Sequence, residues 1–200
     1  HGSNDCKGHD CVDLGSEKIH IIKLDDEYVV EEGYYEDHPA IMVTWFGAHT
    51  YCSAGGKRLP TEAEWEKAAR GPTIQAFPWG DELPDYTYAN YDNQEYFVGD
   101  TAAVGSYPLG TSPYGAMDMA GNVWEWVSDW YAYEYYHTYP EDAWPVNPTG
   151  PESGLYKGVR GGGWTCIESA LRVANRHFYH PYIIFDNTIG FRCADTVKGD

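Results

Sequence analysis

Long apolar runs are missing from this chain: no stretch of about 18 consecutive apolar residues occurs, so we expect no membrane-spanning helix. Basic residues are scarce too, since 13 lysines and arginines stand against 31 aspartates and glutamates, for a formal net charge of −18. Such a surface repels a phosphate backbone, and direct binding of nucleic acid is not expected. Aromatic residues nevertheless reach 16% of the 200 residues, too many for an acidic disordered chain. The composition predicts one acidic globular domain.

Paired CxxC motifs are also absent, and the five cysteines lack the spacing of a zinc ribbon. Cys6 and Cys11 enclose a short segment that contains His9 and Asp10. A disulfide, free thiols or a small metal site would each fit this spacing, although four good metal ligands are not evident. The odd count leaves at least one thiol unpaired within the chain. Paired cysteines would point to an oxidising compartment.

Residues 1–37 form a polar, acidic segment that we assign to the same domain as the rest of the chain. The chain opens with His1 and shows no charged-then-apolar leader, so we expect a processed or truncated start. His20–Leu24 is strand-like. Between Asp25 and Asp37 seven carboxylates are interleaved with tyrosines. This pattern indicates an irregular solvated surface, with calcium or a cationic ligand as the alternative.

Two helices are predicted further along the chain. The first covers residues 42–52, with Val43, Phe46 and Tyr51 on one face, and ends at the glycine pair that follows. The second begins at the capping box Thr61-Glu62-Ala63-Glu64 and ends before Gly71.

Beyond Pro72 no helical period persists, and the chain up to residue 165 is predicted to form loops and short strands. So long an irregular stretch inside a compact domain needs buried tryptophans, bound cations or disulfides to hold it. The candidate buried anchors are Trp79, Trp124, Trp126, Trp130 and Trp164.

Long motifs occur in order along the chain: Gly56–Glu66 (GKRLPTEAEWE), Tyr114–Trp126 (YGAMDMAGNVWEW), Val159–Trp164 (VRGGGW) and Gly190–Cys193 (GFRC). Together they resemble the formylglycine-generating enzyme (sulfatase-modifying factor) family, whose domain is a variant of the C-type lectin fold. The resemblance covers about residues 38–195. It implies an α+β fold of the C-type lectin-like kind, with two helices, short strands and much irregular structure.

The resemblance bears on catalysis. In the enzymes of this family two cysteines follow the glycine-rich turn, and a serine in the turn assists them. Cys166 matches the first cysteine, but Leu171 stands in place of the second and Gly163 in place of the serine. Because a cysteine mechanism needs a thiolate and its partner groups, we expect no catalysis, with Cys166 a catalytic candidate only under an enzymatic alternative.

The resemblance also implies one disulfide, Cys52–Cys193, which would tie the first helix to the last strand. The other cysteine pair of the family maps to Ala69 and Arg176, so both of its members are replaced.

The family binds structural calcium, and no organic cofactor is expected. The calcium ligands implied by the resemblance are Asp118, Gly121, Val123 and Glu125. Carboxylates and carbonyls around a tight glycine turn are the hard oxygen ligands that Ca²⁺ prefers. A capped turn with Glu125 paired to an arginine is the alternative. A second family site would use Asn90 and a residue near Glu95, although the spacing there departs from the family.

The segment 165–188 is the most unusual part of the chain. From His177 onward, four aromatic residues, two histidines and two isoleucines occur within twelve positions, without the period of a helix or a strand. Residues 177–188 contain no Lys, Glu, Gln, Met or Trp, the residue types that no triplet ending in C encodes. Within the family the chain therefore resembles the variable proteins of diversity-generating retroelements, in which AAC codons of a template repeat become any triplet ending in C.

That resemblance implies a fixed frame formed by residues 160–164, 171–176 and 189–192, with Glu168 either fixed or differently encoded. The ligand-binding, variable positions would be Thr165, Cys166, Ile167, Ser169, Ala170, His177, Phe178, Tyr179, His180, Tyr182, Ile183, Ile184, Phe185, Asp186, Asn187 and Thr188.

We therefore predict a ligand-binding protein whose diversified lectin-like surface contacts an unknown protein or surface ligand. An extracellular, cell-surface or virion-associated location is favoured. A non-diversified lectin-like accessory domain and a formylglycine-generating oxidase acting on a peptide cysteine are the alternatives. His177 and His180 could bind a metal, although such pairs on loops are more often surface residues or ligand contacts.

Overall fold

The computed structural model describes residues 6, 8, 10–24, 27–30, 33, 35–140, 142–183 and 186–195. Its helices are α1 (Trp45–Ala54) and α2 (Glu62–Arg70), and its strands are β1 (Ile21–Leu24), β2 (Glu27–Val30), β3 (Trp124–Trp130), β4 (Lys157–Arg160), β5 (His177–Tyr179) and β6 (Ile189–Phe191). Short 3-10 helices lie at Pro108–Gly110, Tyr136–Thr138 and Glu168–Leu171. In this part of the chain neither α-helix is long and apolar enough to cross a membrane.

The strands form two sheets. β1 and β2 make an antiparallel hairpin, and the other four strands make a mixed sheet in the order β5-β4-β3-β6. β3 is antiparallel to β4 and parallel to β6, which places Glu125 between Arg160 and Gly190. Two helices, a small sheet and long irregular segments confirm the α+β class implied by the sequence motifs.

Helix α1 begins later than the sequence predicted. Its cap is Thr44, whose side chain accepts a hydrogen bond from the N–H of Gly47 at 3.0 Å. Met42 adopts a left-handed backbone with a φ of +56°, and Val43 forms a bridge with Val12 of the N-terminal segment. The two residues before the cap are therefore used to pair with the N-terminal segment and do not join the helix.

The buried face of α1 agrees with the prediction only in part. Phe46 is buried as expected, and so is Cys52, whereas Tyr51, which we expected on the same face, is 70% exposed. The N-terminal segment crosses the helix at Gly47, where a Cβ would collide with the carbonyl oxygen of Cys11. This close crossing, which no local pattern encodes, sets which face of α1 is covered.

Helix α2 confirms its sequence signature. Thr61 accepts a hydrogen bond from the N–H of Glu64 at 3.1 Å, and the Glu64 carboxylate accepts one from the N–H of Thr61 at 2.8 Å. The helix ends at Gly71, whose φ is +72°. Trp65 and Ala69 are buried against the domain core, so the opposite face of α2 lies outward.

Buried amides hold part of the irregular stretch between α2 and β3. Asn122 is buried, and its Oδ1 accepts hydrogen bonds from the N–H of Ala102 at 2.8 Å and from Asn90 Nδ2 at 3.3 Å. Asn122 Nδ2 donates to the carbonyl of Ala102 at 3.0 Å, and Asn90 Nδ2 donates to the carbonyl of Asp100 at 2.8 Å. Side-chain amides therefore replace the hydrogen bonds that strands would provide.

Tryptophan burial follows the prediction in part. Trp124, Trp126 and Trp164 are buried, while Trp79 and Trp130 are only half-buried.

Two disulfides link the chain. Cys52–Cys193 joins α1 to the segment after β6 across 141 residues of sequence, as the resemblance implied. Cys6–Cys11 closes the short N-terminal loop, which decides between the alternatives left open for that pair. Cys166 is the free cysteine.

Candidate functional site

Arg160 at the end of β4 is fully buried and holds the segment 171–176 in place. Its Nη1 donates to the carbonyl of Asn175 at 2.7 Å, and its Nη2 donates to the carbonyl of Val173 at 2.8 Å. The same Nη2 pairs with Glu66 of α2 at 2.5 Å. A buried guanidinium is stable only when it is paired and hydrogen-bonded in this way. Arg160 thereby clamps the segment against helix α2.

Arg176 makes a second tie between the same segment and α2. Its Nε and Nη2 each donate to Glu62 at 2.8 Å, and its guanidinium lies 4.8 Å from the ring centres of both Tyr131 and Tyr136. Burial raises the pKa of both tyrosines, which keeps them neutral beside these charges. Arg176 and Ala69 occupy the positions of a cysteine pair that the family resemblance implies. The segment is therefore tied to α2 by the ion pair between Arg176 and Glu62 rather than by a disulfide.

The positions predicted to form the fixed frame are largely buried. Leu171 and Val173 are fully buried, and Trp164 and Ile189 are buried as well. Exposed exceptions occur within the segment 171–176, at Arg172 and Ala174.

Most positions predicted to be variable reach the surface. The exposed ones are Thr165, Ile167, Ser169, His177, Phe178, His180 and Tyr182. The half-buried ones are Cys166, Ala170, Tyr179, Ile183, Asp186 and Asn187. Ile184 and Phe185 lie outside the described residues.

Thr188 corrects the predicted surface. Only 8% of it is exposed, and its N–H and hydroxyl both donate to Asp186 Oδ1, at 2.8 and 2.5 Å. Its carbonyl accepts the N–H of Trp124 at 2.7 Å. The expectation that Thr188 faces solvent is wrong, because this residue closes a turn and continues the pairing of β3 with β6.

The two halves of the surface meet over the core. Cys166 and Ala170 from the first half, and Tyr179 and Ile183 from the second, pack against one buried cluster that includes Trp126. Residues 165–170, 177–183, 186 and 187 therefore belong to one surface, which we call the display surface.

Two tyrosines outside the predicted region complete this surface. The ring of Phe178 lies 4.5 Å from that of Tyr131 and 4.9 Å from that of Tyr156, and Tyr156 also lies 6.3 Å from His180. The N–H of Tyr131 donates to the carbonyl of Tyr156 at 2.8 Å, which extends the β3–β4 pairing. Sequence reasoning missed both tyrosines; Tyr156 directly precedes β4, the neighbour of β5, and Tyr131 directly follows β3, the next strand in the sheet.

The display surface carries little charge near its centre. Partial burial lowers the pKa of His177, although nearby Asp186 opposes the shift. Burial raises the pKa of Tyr179, and Asp186 adds to that effect. Both shifts favour the neutral form of these two side chains at neutral pH.

The main carboxylate implied as a calcium ligand is already paired. Glu125 Oε2 accepts hydrogen bonds from Arg192 Nε at 2.5 Å and Trp65 Nε1 at 2.6 Å, and Oε1 accepts one from Arg192 Nη2 at 2.6 Å. This is the arginine pairing that we gave as the alternative. Asp118 accepts the N–H of Gly105 at 2.7 Å, and burial raises its pKa. In this arrangement Glu125 does not fit as a calcium ligand.

Other oxygen atoms remain suited to calcium. Asp118, Val123 and Glu125 line one cavity of about 390 Å³ together with Arg192. At the second implied site, Asn90 Oδ1 is buried and has no hydrogen-bond partner among the described residues. Calcium binding stays a prediction at both sites, and at the first it requires Arg192 to leave Glu125.

His177 and His180 are not surrounded by further side chains that could complete a metal site among the described residues. Within the described ranges no group of three or more His, Cys, Asp or Glu side chains is arranged to hold a metal ion. The ring of His177 instead lies 5.3 Å from that of Trp124, and His180 lies 5.4 Å from Tyr182.

Residues 7–197 match the sulfatase-modifying factor enzyme 1-like domain family, and the chain belongs to that family. The match includes most of the N-terminal acidic segment. Solved structures with a similar fold include variable protein 1 of Treponema denticola, with a TM-score of 0.66 and 23% identity, covering 94% of this chain and 78% of that one. PvdO from Pseudomonas aeruginosa has a TM-score of 0.63 and 28% identity, covering 85% of this chain and 68% of that one.

Curated relatives carry several names. The serine/threonine-protein kinase pkn1 of Chlamydia caviae is 46% identical over 179 residues, which cover 89% of this chain and 27% of the relative. The formylglycine-generating enzyme of Thermomonospora curvata is 40% identical over 173 residues, which cover 79% of this chain and 55% of the relative. The chain therefore spans only 27% to 55% of the length of these two relatives.

These relatives correct the expectation that the chain is not an enzyme. Formylglycine-generating enzymes of Thermomonospora curvata and Bos taurus are 40% and 39% identical to it. Leu171 and Gly163 therefore do not suffice to exclude catalysis.

Replacing Arg160 by methionine tests the clamp. The variant leaves Glu66 and the carbonyls of Val173 and Asn175 without their buried donor, so we expect the free energy of unfolding to fall by about 3–5 kcal/mol. Urea unfolding followed by tryptophan fluorescence measures it. The control is Arg172→Met, an exposed arginine of the same segment, which we expect to cost less than about 1 kcal/mol. Equal losses in the two variants would contradict the clamp.

Proposed function

We propose that this domain binds a protein or another surface ligand through the display surface, and that the exposed positions of this surface are diversified by a retroelement. The observation that carries the proposal is the division between a buried frame and exposed variable positions. The frame segments 160–164 and 171–176 are held by Arg160, Leu171 and Val173, which are fully buried. The variable positions lie between and after these segments in sequence.

This division allows the surface to change while the fold is kept. Substitutions at exposed positions usually alter stability by about 0.5 kcal/mol or less, whereas substitutions in a packed core cost several kcal/mol. A set of random residues at Ile167, Phe178, His180 and Tyr182 would therefore be tolerated. The same changes at Leu171 or the other buried frame residues would not.

The present side chains suit recognition. Ile167 is 61% exposed, and Phe178 and Tyr182 are 36% and 38% exposed. Aromatic rings bury a large contact area at a small loss of side-chain entropy. Phe178 is held in place by Tyr131 and Tyr156, so less freedom is lost when a ligand binds it.

The disulfides support a location outside the reducing cytosol. Cys6–Cys11 and Cys52–Cys193 both form in the structure. Because disulfides persist in oxidising compartments, we propose an extracellular, cell-surface or virion-associated location.

A stability comparison tests tolerance at the display surface. The double variant Ile167→Ser/His180→Ser changes two exposed side chains, and we expect a loss of less than about 1 kcal/mol. Val173→Ser places the same hydroxyl at a fully buried frame position, and we expect a loss of about 3 kcal/mol. Urea unfolding measures both. A double variant as unstable as Val173→Ser would show that the exposed positions are structural.

The gene tests diversification itself. We expect codons ending in C at the proposed variable positions, together with a near-identical repeat that carries AAC at those positions beside a reverse transcriptase gene. DNA sequencing of the locus provides the measurement. Codons ending in other bases at most of these positions, or the lack of such a repeat, would contradict diversification and favour a non-diversified lectin-like binding domain.

A second candidate function is oxidation of a peptide cysteine to formylglycine. It is favoured by the relatives named formylglycine-generating enzyme and by the half-buried free thiol of Cys166. Incubation with a Cys-x-Pro-x-Arg peptide, followed by mass spectrometry, tests it. For this candidate we expect an aldehyde product with the natural chain and none with Cys166→Ser. An unchanged peptide, or equal amounts of product from both chains, would exclude oxidation of the peptide through Cys166.

A further inference from the structure

A groove crosses the outward face of helix α2, far in sequence from most of the display surface. Two adjoining cavities of about 430 and 560 Å³ form it, and Ala63 and Lys67 line both of them. Trp144 lines the first cavity and Tyr114 the second, and each of these rings is 56% exposed. Both volumes are typical of sites for small ligands. We call this region the α2 groove.

The first cavity has a positive wall in a strongly acidic chain. Lys67, Arg70 and Arg176 line it against the single carboxylate of Glu66. Glu66 is neutralised from two sides, because Oε1 accepts a hydrogen bond from Arg70 Nη2 at 2.7 Å and Oε2 accepts one from Arg160 Nη2 at 2.5 Å. The wall therefore has an excess of cations, although the whole chain carries −18.

The wall still has an excess of positive charge when Glu62, a carboxylate that lies behind it, is counted. Glu62 pairs with Arg176 at 2.8 Å and lies 3.7 Å from Arg160, so four basic side chains face two carboxylates. Lys67 is exposed, and its ammonium donates to the carbonyl of Gly71 at 3.2 Å. An ammonium has three donors, so Lys67 can also meet an anionic ligand group.

Aromatic and neutral polar groups complete the groove. Trp144 lies 6.4 Å from the ring of Tyr136, which leaves much of its own surface to solvent. The second cavity combines the Tyr114 ring with the polar side chains of Thr61 and Asn147. Exposed rings favour the apolar C–H face of a ring-shaped ligand, and the polar groups favour hydroxyls on its rim.

The carboxylate of Glu64 limits the charge of the ligand. Glu64 lines the second cavity, and its partner is Arg58 at 2.5 Å. A polyanion crossing the whole groove would approach this carboxylate, whereas a ligand with one anionic group over the first cavity would not.

We propose that the α2 groove binds an acidic oligosaccharide. A carboxylate-bearing sugar lies over Trp144, with its carboxylate at Lys67 and Arg70, and a neutral sugar lies against Tyr114. The site is separate from the display surface and does not depend on the proposed diversification.

Calorimetric titration of the whole chain tests this site. The probe is a disaccharide of glucuronic acid and N-acetylglucosamine, which carries one carboxylate, compared with the neutral disaccharide of N-acetylglucosamine and with benzoate. We expect the acidic disaccharide to bind at least about tenfold more tightly than either comparison compound, and to bind more weakly as salt increases. We also expect it to change the tryptophan fluorescence.

Matched variants locate the binding. Trp144→Ala and Lys67→Gln should each weaken binding about tenfold. Tyr133→Ala, an exposed tyrosine of the same loop, and Lys57→Gln, an exposed lysine outside the groove, should leave it unchanged. Circular dichroism checks that each variant is folded.

Four results would overturn the proposal. Equal binding of the neutral disaccharide would show that the cations have no role in binding, and equal binding of benzoate would show that the groove selects an aromatic acid rather than a sugar. Acidic-sugar binding that survives both groove variants would place the site elsewhere. No binding at a ligand concentration of about 10 mM would show that the groove does not bind acidic oligosaccharides.

Discussion

The buried guanidinium of Arg160 is the interaction on which the rest of the domain depends. Moving a cation out of water costs several kcal/mol, and the cost is offset only where its donors find partners. The two Nη atoms of Arg160 find them in Glu66 and in the carbonyls of Val173 and Asn175, while its buried Nε has no hydrogen-bond partner among the described residues. A segment without helix or strand hydrogen bonds thereby gains a fixed path. Its fixed path is what separates a buried frame from an exposed surface.

The same clamp organises a wider group of buried charges. Asp129 of β3 accepts the N–H of Glu62 at 2.8 Å, which secures the first turn of α2. Burial is the main cause that raises the pKa of Asp129 to about 6, and the nearby carboxylate of Glu62 adds to it. Glu62 itself is held by Arg176. Helix α2, strands β3 and β4, and the segment 171–176 are therefore joined through side chains, and a change in one reaches the others.

Local signals in the sequence predicted local structure well. The capping box at Thr61 and the final Gly71 bound α2 in the structure because their hydrogen bonds lie within one turn of chain. The start of α1 was not predictable in this way, since it depends on the pairing of Val43 with Val12. Family motifs, rather than local pattern, supplied the Cys52–Cys193 bridge.

The candidate surface shows the same limit. The rule that every residue type in 177–188 has a codon ending in C correctly pointed to the exposed side chains of the segment 177–183. It also selected Thr188, which is buried because it pairs with Trp124. Tyr131 and Tyr156 were missed because they reach Phe178 only through the pairing of β3, β4 and β5. The partner of Glu125 is Arg192, 67 residues away in sequence, and only a general arginine pairing could be foreseen.

The replacement of a cysteine by Arg176 has a consequence for both binding regions. The guanidinium of Arg176 is bonded at two points to Glu62 and lies against the rings of Tyr131 and Tyr136, which fixes the main chain one residue before His177, where the second half of the display surface begins. The same guanidinium lines the α2 groove. The two hydrogen bonds from Arg176 to Glu62 involve no side chain at position 177 or beyond, whereas the Tyr131 ring contacts both Arg176 and Phe178. Variation at exposed positions that do not contact Tyr131 therefore need not disturb the groove, and position 178 is where the two regions are coupled.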